Sequence, residues 1–249
     1  NLKSKFSLLV KDLDDIERAE SLFAALVKAF PEDAVFRGHY ARFLYEKASM
    51  SKGITIEDRL FSDAQEQLQI AFGLNPDDSD LYHMQGMLLR RKLQTLFNSI
   101  KNLTIEEVNQ DEIQDCIEEW TQGAVNAFER SIKLNPASPY GYAAESQLYM
   151  ESIKFGKWLL GKEDYTFCET SPIYSEYSEK LGDVLDMFEQ ICYAFKNEGL
   201  SQIMSSYPIY ENVRAFHRSI IGQNVESINR YRVLYGKATG EKKLLYGNM

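Results

Sequence analysis

The chain has 249 residues and a formal net charge of −9 at pH 7. Its length allows a sizeable hydrophobic core or a stack of helical repeats, and its acidic balance argues against a general nucleic-acid binder. The sequence has no apolar run of about 18 residues, the minimum length for a membrane-spanning helix, and no signal peptide is recognised at its start. Because the chain starts at Asn1 without a methionine, we expect it to be a segment of a longer polypeptide.

Apolar residues at helical spacing predict six helices in the first 160 residues. They cover residues 12–30, 33–47, 55–73, 79–100, 104–134 and 139–158. Pro31 and Pro76 end the first and third of these helices, because proline cannot continue a helix. Thr55 is the predicted N-cap of the third helix, and Thr104 with Glu107 forms a predicted capping box at the start of the fifth.

Beyond residue 160 the helical pattern resumes after a break. Residues 161–173 are non-periodic and predict a surface loop. Apolar stripes then predict helices over residues 174–196 and 208–235, the second of them bent at Gly222.

Three of the predicted helices end with the same spacing of small, large and proline residues. The shared positions are Ala124, Phe128, Ser131 and Pro136; Ala64, Leu68, Ala71 and Pro76; and Ala19, Phe23, Leu26 and Pro31, where Leu26 replaces the second small residue. Residues three and four apart share one helix face, and the small ones let a neighbouring helix approach closely. The spacing therefore predicts the second half of a helix-turn-helix repeat, and a solenoid built from it.

These units resemble tetratricopeptide repeats over about residues 12–157. The first helix of each unit matches the family's Trp, Gly and Tyr positions more loosely. The corresponding residues are Tyr82, Gly86 and Leu89 in one unit and Tyr142, Ser146 and Tyr149 in another. In the remaining unit, Arg37 stands where an aromatic residue is expected. The resemblance implies an all-α fold. Its parts would be an α-solenoid of irregular TPR-like helical hairpins (1–160), a loop (161–173) and a non-repeat helical C-terminal cap (174–249).

A narrower resemblance concerns the run from Asn135 to Tyr142 and the irregular helical tail after it. This part is similar to the helical-repeat regions of large STAND-class NTPases of antiviral defence, in which such arrays resemble ligand sensors attached to an effector. The chain contains no GxxxxGK[ST] motif. The resemblance therefore implies a sensor segment whose NTPase domain would lie outside these residues.

The sequence contains no catalytic or metal-binding motif that we recognise. It has no His-Glu-x-x-His, paired-cysteine, nucleophile-elbow or glycine-rich phosphate motif. Three cysteines are widely spaced and odd in number, which predicts reduced thiols in a cytoplasmic protein: Cys116, Cys168 and Cys192. We therefore expect neither an enzyme nor a bound cofactor or metal.

In a stack of helix-turn-helix hairpins the first helices line a concave face. The outward positions of these helices predict a partner-binding face that contains His39, Arg42, His83, Met84, Met87, Arg90, Arg91, Tyr140 and Gln147. Arginine and aromatic residues are enriched at the centres of interfaces, and methionine adapts to varied partners. The alternative is that half of these residues make ordinary core or solvent contacts.

Residues 214–249 carry seven basic and two acidic residues, in contrast to the acidic remainder. The candidate basic patch consists of Arg214, Arg218, Arg230, Arg232, Lys242 and Lys243. It could dock nucleic acid or another acidic surface, or it could pack against the chain's own acidic array or a neighbouring domain. Thin aromatic interleaving and the lack of an RNA-binding motif favour the second interpretation.

The predicted function is a non-catalytic protein–protein recognition module, either a scaffold or a sensor segment. Its expected partner is a protein or peptide, or another domain of the same polypeptide, and we expect no membrane partner. The alternative function is a nucleic-acid-binding helical domain that acts through residues 214–249.

Overall fold

The structure is a computed structural model that describes residues 14–50, 59–198 and 203–221. Within these residues the fold is all-α, as predicted, and contains no strand. The α-helices are α1 Asp14–Ala29, α2 Ala34–Met50, α3 Arg59–Leu74, α4 Ser79–Ile100, α5 Gln110–Leu134, α6 Pro139–Leu159, α7 Phe167–Thr170, α8 Pro172–Glu198 and α9 Ile203–Ile220. A short 3₁₀ helix, Ile105–Glu107, precedes α5.

Contacts divide the chain into two compact units. Unit 1 comprises residues 1–104 and 118–135, and unit 2 comprises residues 105–117 and 136–249. Helix α5 therefore contributes its first two turns to unit 2 and the remainder to unit 1. This division differs from the repeat-based division into residues 1–160, 161–173 and 174–249, which stays a prediction.

Several predicted helix boundaries differ from the observed ones. The fifth helix begins at Gln110 rather than at residue 104, because a 3₁₀ turn intervenes and Asn109 Oδ1 accepts a hydrogen bond from the Glu112 backbone N–H. Thr104 therefore precedes the 3₁₀ helix rather than α5, and the capping box of Thr104 with Glu107 stays a prediction. The predicted loop 161–173 contains the short helix α7, and the predicted cap Thr55 lies outside the described residues.

The last helix differs from its prediction at both ends. Pro208 lies inside α9 instead of opening it, and the helix ends at Ile220 before the predicted bend at Gly222, which lies outside the described residues. A proline lacks the N–H that would donate to the carbonyl one turn earlier. It is tolerated here within the first two turns, where it removes a single backbone hydrogen bond of α9.

Unit 1 is packed through the residues of the repeat spacing. Helix α1 packs against α2, α2 against α3 and α4, and α3 against α4. The buried members of the spacing are Ala19, Phe23, Ala64, Leu68, Ala71, Ala124, Phe128 and Ser131. The sequence spacing thus identified core residues in all three copies.

Helices in unit 1 approach closely where a glycine faces a large side chain. A Cβ atom added to Gly86 on α4 would lie 2.4 Å from Cε1 of Phe128 on α5, closer than real Cβ contacts. The ring of Phe128 therefore occupies the space that a side chain at position 86 would need. Ser131 strengthens the same contact, because its hydroxyl donates to the backbone carbonyl of Ser79 at 2.8 Å.

In unit 2, α6 packs against α8 and α9, while α8 also contacts α7 and α9. Helix α6 is buried along most of its length. A Cβ atom added to its Gly156 would lie 2.2 Å from Cζ of Tyr174 on α8, so this glycine provides the space for a fully buried tyrosine ring. The Tyr174 hydroxyl donates to Gln114 Oε1 at 2.8 Å.

In the described ranges we find no helical stretch with both the length and the hydropathy that a membrane span requires.

Candidate functional site

Two helices of the predicted partner-binding face, α2 and α4, pack directly against each other in unit 1. Near the start of α2, a Cβ atom added to Gly38 would lie 2.6 Å from Leu81 Cδ2 and 3.2 Å from Met84 Sδ. One turn before the end of α2, Glu46 Oε2 lies 3.0 Å from Arg91 Nη2. We call the surface formed by Arg42, Glu46, His83, Met87 and Arg91 the α2–α4 face.

The predicted face residues of unit 1 differ widely in exposure. Arg42 is exposed, and His39, Met87 and Arg91 are half-buried. Met84 and Arg90 are buried, with 8% and 7% of their surface exposed. These two side chains are therefore not the exposed contacts that the sequence predicted. The close approach of the helices at Gly38 brings Met84 into the core. The Arg90 guanidinium turns back towards Met87, with Nη1 3.9 Å from Sδ.

His83 is the most perturbed titratable group of the α2–α4 face. The pKa of its imidazole is lowered to about 4, mainly by burial; Asp80 opposes this shift, and the positive charges of Arg42 and Arg90 add to it. The ring lies 5.7 Å from the Phe128 ring. Its buried Nδ1 has no hydrogen-bond partner among the described residues. The neutral imidazole therefore dominates at pH 7.

Arg91 is already engaged within the chain. Its guanidinium forms a salt bridge to Glu46 and donates a hydrogen bond of 2.7 Å to Gln94 Oε1. Arg42, by contrast, forms no salt bridge with another residue in the described ranges. Arg42 is thus the exposed cation of the α2–α4 face that a partner could contact without breaking an internal ion pair.

The remaining predicted face residues, Tyr140 and Gln147, lie on α6 of unit 2. Tyr140 exposes 49% of its surface and Gln147 is half-buried. Both stay candidate contacts of unit 2.

The candidate basic patch is only partly described. Arg214 is engaged by two carboxylates of α8, with Nη2 2.6 Å from Asp186 Oδ1 and 3.7 Å from Glu189 Oε2. Arg218 is half-buried and has an interaction partner. The other members, Arg230, Arg232, Lys242 and Lys243, lie outside the described residues.

The described residues contain no group of three His, Cys, Asp or Glu side chains that could hold a metal ion. Cys168 and Cys192 are buried, and burial raises the pKa of each thiol to about 11. These two cysteines are therefore protonated and weakly nucleophilic at pH 7.

The sequence pattern did not reveal the buried polar residues of unit 2, apart from Ser146, which stands at a repeat position. These are Glu145, Ser146 and Ser152 on α6 and Ser206, Glu211, Asn212 and His217 on α9. His217 Nε2 lies 3.0 Å from the Ser178 carbonyl oxygen, and burial lowers the pKa of its imidazole. Burial also raises the pKa of Tyr210, and the hydrogen bond with Glu189 raises it further. A polar residue inside an apolar stripe, such as His217 between Phe216 and Ile220, was the available signal.

The sequence matches no protein-family model and no curated protein.

Proposed function

We propose that this chain is a non-catalytic protein-recognition module, built as a TPR-like solenoid, that binds a protein or peptide through the α2–α4 face of unit 1. The observation that carries the proposal is the exposed Arg42 near the half-buried His83 and the buried Arg90. The positive charges of Arg42 and Arg90 both lower the pKa of His83, against the opposite effect of Asp80, so both cations lie near this imidazole. Arg42 itself is free of internal salt bridges to other described residues.

The chemistry of this surface favours a partner segment with a carboxylate and an adjacent apolar residue. A guanidinium binds a carboxylate through two parallel hydrogen bonds and loses less hydration than an ammonium group. The half-buried Met87 offers adaptable apolar contact on the same face. A partner segment that places an acidic side chain against Arg42 and an apolar side chain against Met87 would therefore use both the guanidinium and the thioether of this face.

We also propose that the module belongs to a larger cytoplasmic protein in which it acts as a sensor. This step is supported by the resemblance of Asn135 to Tyr142, and of the helical tail, to the repeat regions of STAND-class NTPases. In such an arrangement, a ligand bound by the array would act on an effector domain elsewhere in the polypeptide.

A random peptide library panned against the chain tests the recognition surface. We expect acidic peptides to be enriched, and Arg42→Glu to weaken their binding about tenfold or more in calorimetric titrations, since central interface arginines carry much of the binding energy. The matched control is Arg59→Glu on α3, which reverses the charge of a side chain that is 90% exposed. Peptides that bind both variants like the unmodified chain would contradict the proposed surface.

The nucleic-acid alternative is tested with short RNA and DNA at two salt concentrations. The described part of the candidate basic patch gives it no support, because Arg214 is already paired with Asp186 and Glu189. Tight binding with a steep dependence on salt, unaffected by Arg42→Glu, would favour that alternative over peptide recognition.

A further inference from the structure

Helix α2 carries a stripe of exposed and half-buried residues from its first turn to its last. Val35, His39, Arg42, Glu46 and Met50 follow one another every three or four residues, so they share one side of the helix. Val35 and Met50, at the two ends of this stripe, expose 52% and 51% of their surface. The stripe therefore extends the α2–α4 face with an exposed apolar side chain at each end.

Helix α4 lies beside this stripe and runs in the same direction. Gly38 near the start of α2 lies against Met84 near the start of α4. Further along both helices, Glu46 pairs with Arg91. Since both contacts advance towards the C-terminal ends, the two helices are parallel. The exposed Arg42 lies between these two contacts, in the middle of the surface.

The middle of the surface carries a small excess of positive charge. Its described charged side chains are three arginines and two carboxylates, namely Arg42, Arg90, Arg91, Asp80 and Glu46. Glu46 and Arg91 neutralise each other, whereas Arg42 forms no ion pair with another described residue. A carboxylate of a partner is therefore favoured at Arg42.

The two ends of the stripe do not favour a second carboxylate. Glu32 and Asp33 come directly before Val35, and Asp33 Oδ1 accepts a hydrogen bond of 2.9 Å from the Val35 backbone N–H. Near the other end, Lys47 Nζ is paired with Glu20 Oε2 at 2.6 Å. Both ends therefore favour apolar side chains of a partner, which would remove the exposed apolar surface from water.

The polar middle of the surface favours an extended partner over a helical one. A helix satisfies its backbone internally, so its apolar side would desolvate the Glu46–Arg91 pair without replacing its hydrogen bonds with water. An extended segment has open backbone N–H and C=O groups. Polar side chains of the surface, such as Gln94 beside Arg91, can form hydrogen bonds with these groups.

The distances along α2 set the spacing of side chains in such a partner. A helix rises about 1.5 Å per residue, so Val35 lies about 10 Å and Met50 about 12 Å from Arg42 along the axis. An extended chain advances about 3.1 to 3.3 Å per residue, so each distance corresponds to about three or four residues of the partner. A helical partner would need about seven or eight residues for the same distances.

We propose that the partner segment is extended and carries an acidic residue with an apolar residue three or four positions away on each side. Its carboxylate binds Arg42, and its two apolar side chains cover Val35 and Met50. These two residues thereby determine which acidic segments bind. The inference rests on the proposed function of the α2–α4 face and adds the sequence pattern that this face selects.

The peptides enriched by panning a random library against the full chain test the spacing. We expect apolar residues three or four positions before and after the acidic residue. Enrichment of apolar residues seven or eight positions away would show that the partner is helical and would overturn the proposal. Acidic peptides with no preferred position for apolar residues would overturn it as well.

Calorimetric titration of an enriched peptide tests the two apolar contacts. Val35→Ser and Met50→Ser should each weaken binding about fivefold or more, because each removes apolar area from the contact. The matched control is Leu22→Ser on α1, outside the stripe, where 45% of the leucine surface is exposed. Its affinity for the peptide should equal that of the unmodified chain.

Alanine at one apolar position of the peptide assigns each contact. This change should abolish the effect of Val35→Ser or of Met50→Ser, but not of both, because two partners of one contact are not additive. Binding that Arg42→Glu weakens, while both serine variants retain full affinity, would overturn the spacing and leave the proposed function intact. Binding that Arg42→Glu leaves unchanged would contradict the proposed function itself.

Discussion

Unit 1 and unit 2 are both helical, but their cores contain different kinds of residue. Unit 1 is filled mainly by small and large apolar residues that fit by size, as at Gly86 and Phe128. Among the described residues, its buried polar side chains are Arg90, Thr121 and Ser131. In its described part, unit 2 buries seven polar or charged residues on α6 and α9, including Glu145, Asn212 and His217. Packing by size follows from sequence spacing, whereas polar burial requires specific partners that spacing does not specify.

The comparison predicts which substitutions each unit tolerates. In unit 1, the cost should depend on the volume removed or added. In unit 2, it should depend more on hydrogen bonds, because a buried polar group that loses its partner pays the full cost of desolvation.

The largest effect is expected from emptying the core of unit 1. Phe128 is fully buried and fills the space opposite Gly86. Phe128→Ala should lower the free energy of unfolding by about 3–5 kcal/mol, measured by urea denaturation. Phe128→Leu keeps most of the volume and should cost clearly less. A melting temperature that does not change in the alanine variant would contradict size-based packing of this unit.

A second test uses pH. Because the folded-state pKa of His83 is about 4 and the unfolded value is about 6.5, the unfolded chain binds an extra proton between these values. The free energy of unfolding should therefore fall as pH decreases from about 6.5 to 4, by about 3 kcal/mol from this group.

Denaturation at several pH values, with and without His83→Leu, isolates this contribution. The variant should lose less stability than the unmodified chain over the same range. His217 has a pKa that is also lowered, but its hydrogen bond with Ser178 opposes the effect of burial. His217→Leu should therefore remove a smaller part of the pH dependence. The reverse order would contradict the contrast between the two units.

A third test adds one methyl group to the core of each unit. Gly86→Ala in unit 1 and Gly156→Ala in unit 2 each place a methyl group against an aromatic ring, that of Phe128 or Tyr174. Each should cost about 1–3 kcal/mol by overpacking. The Gly156 variant should also weaken the hydrogen bond between Tyr174 and Gln114, and Tyr174→Phe measures that part separately. Wild-type stability of both glycine variants would show that the rings can move aside.

The smallest effects are expected from the surface ion pairs. Arg214→Ala in unit 2 and Arg91→Ala in unit 1 should each change the free energy of unfolding by about 1 kcal/mol or less, because the carboxylate partners are partly solvated. Added salt should reduce the differences, since it screens exposed charges. A larger, salt-independent loss in the Arg214 variant alone would show that this pair belongs to the polar core of unit 2.

Local signals in the sequence determined a large part of the fold. The helix Ser79–Ile100 was predicted with its observed ends. Asn75-Pro76 stops the preceding helix, and the polar residues after Pro76 supply an N-cap. The Asp78 carboxylate oxygen Oδ1 accepts a hydrogen bond from the Asp80 backbone N–H. The spacing of Ala124, Phe128 and Ser131 identified core residues, because positions three and four apart in a helix share a face.

Tertiary structure decided what spacing leaves open. The close approach of α2 and α4 at Gly38 brought Met84 into the core, and Arg90 is buried beside Met87, although both were predicted as exposed contacts. The polar residues of α9 likewise depend on neighbours distant in sequence, as His217 does on the Ser178 carbonyl. A helical pattern states which residues share a side of a helix, but only the packed neighbours decide whether that side meets water or another helix.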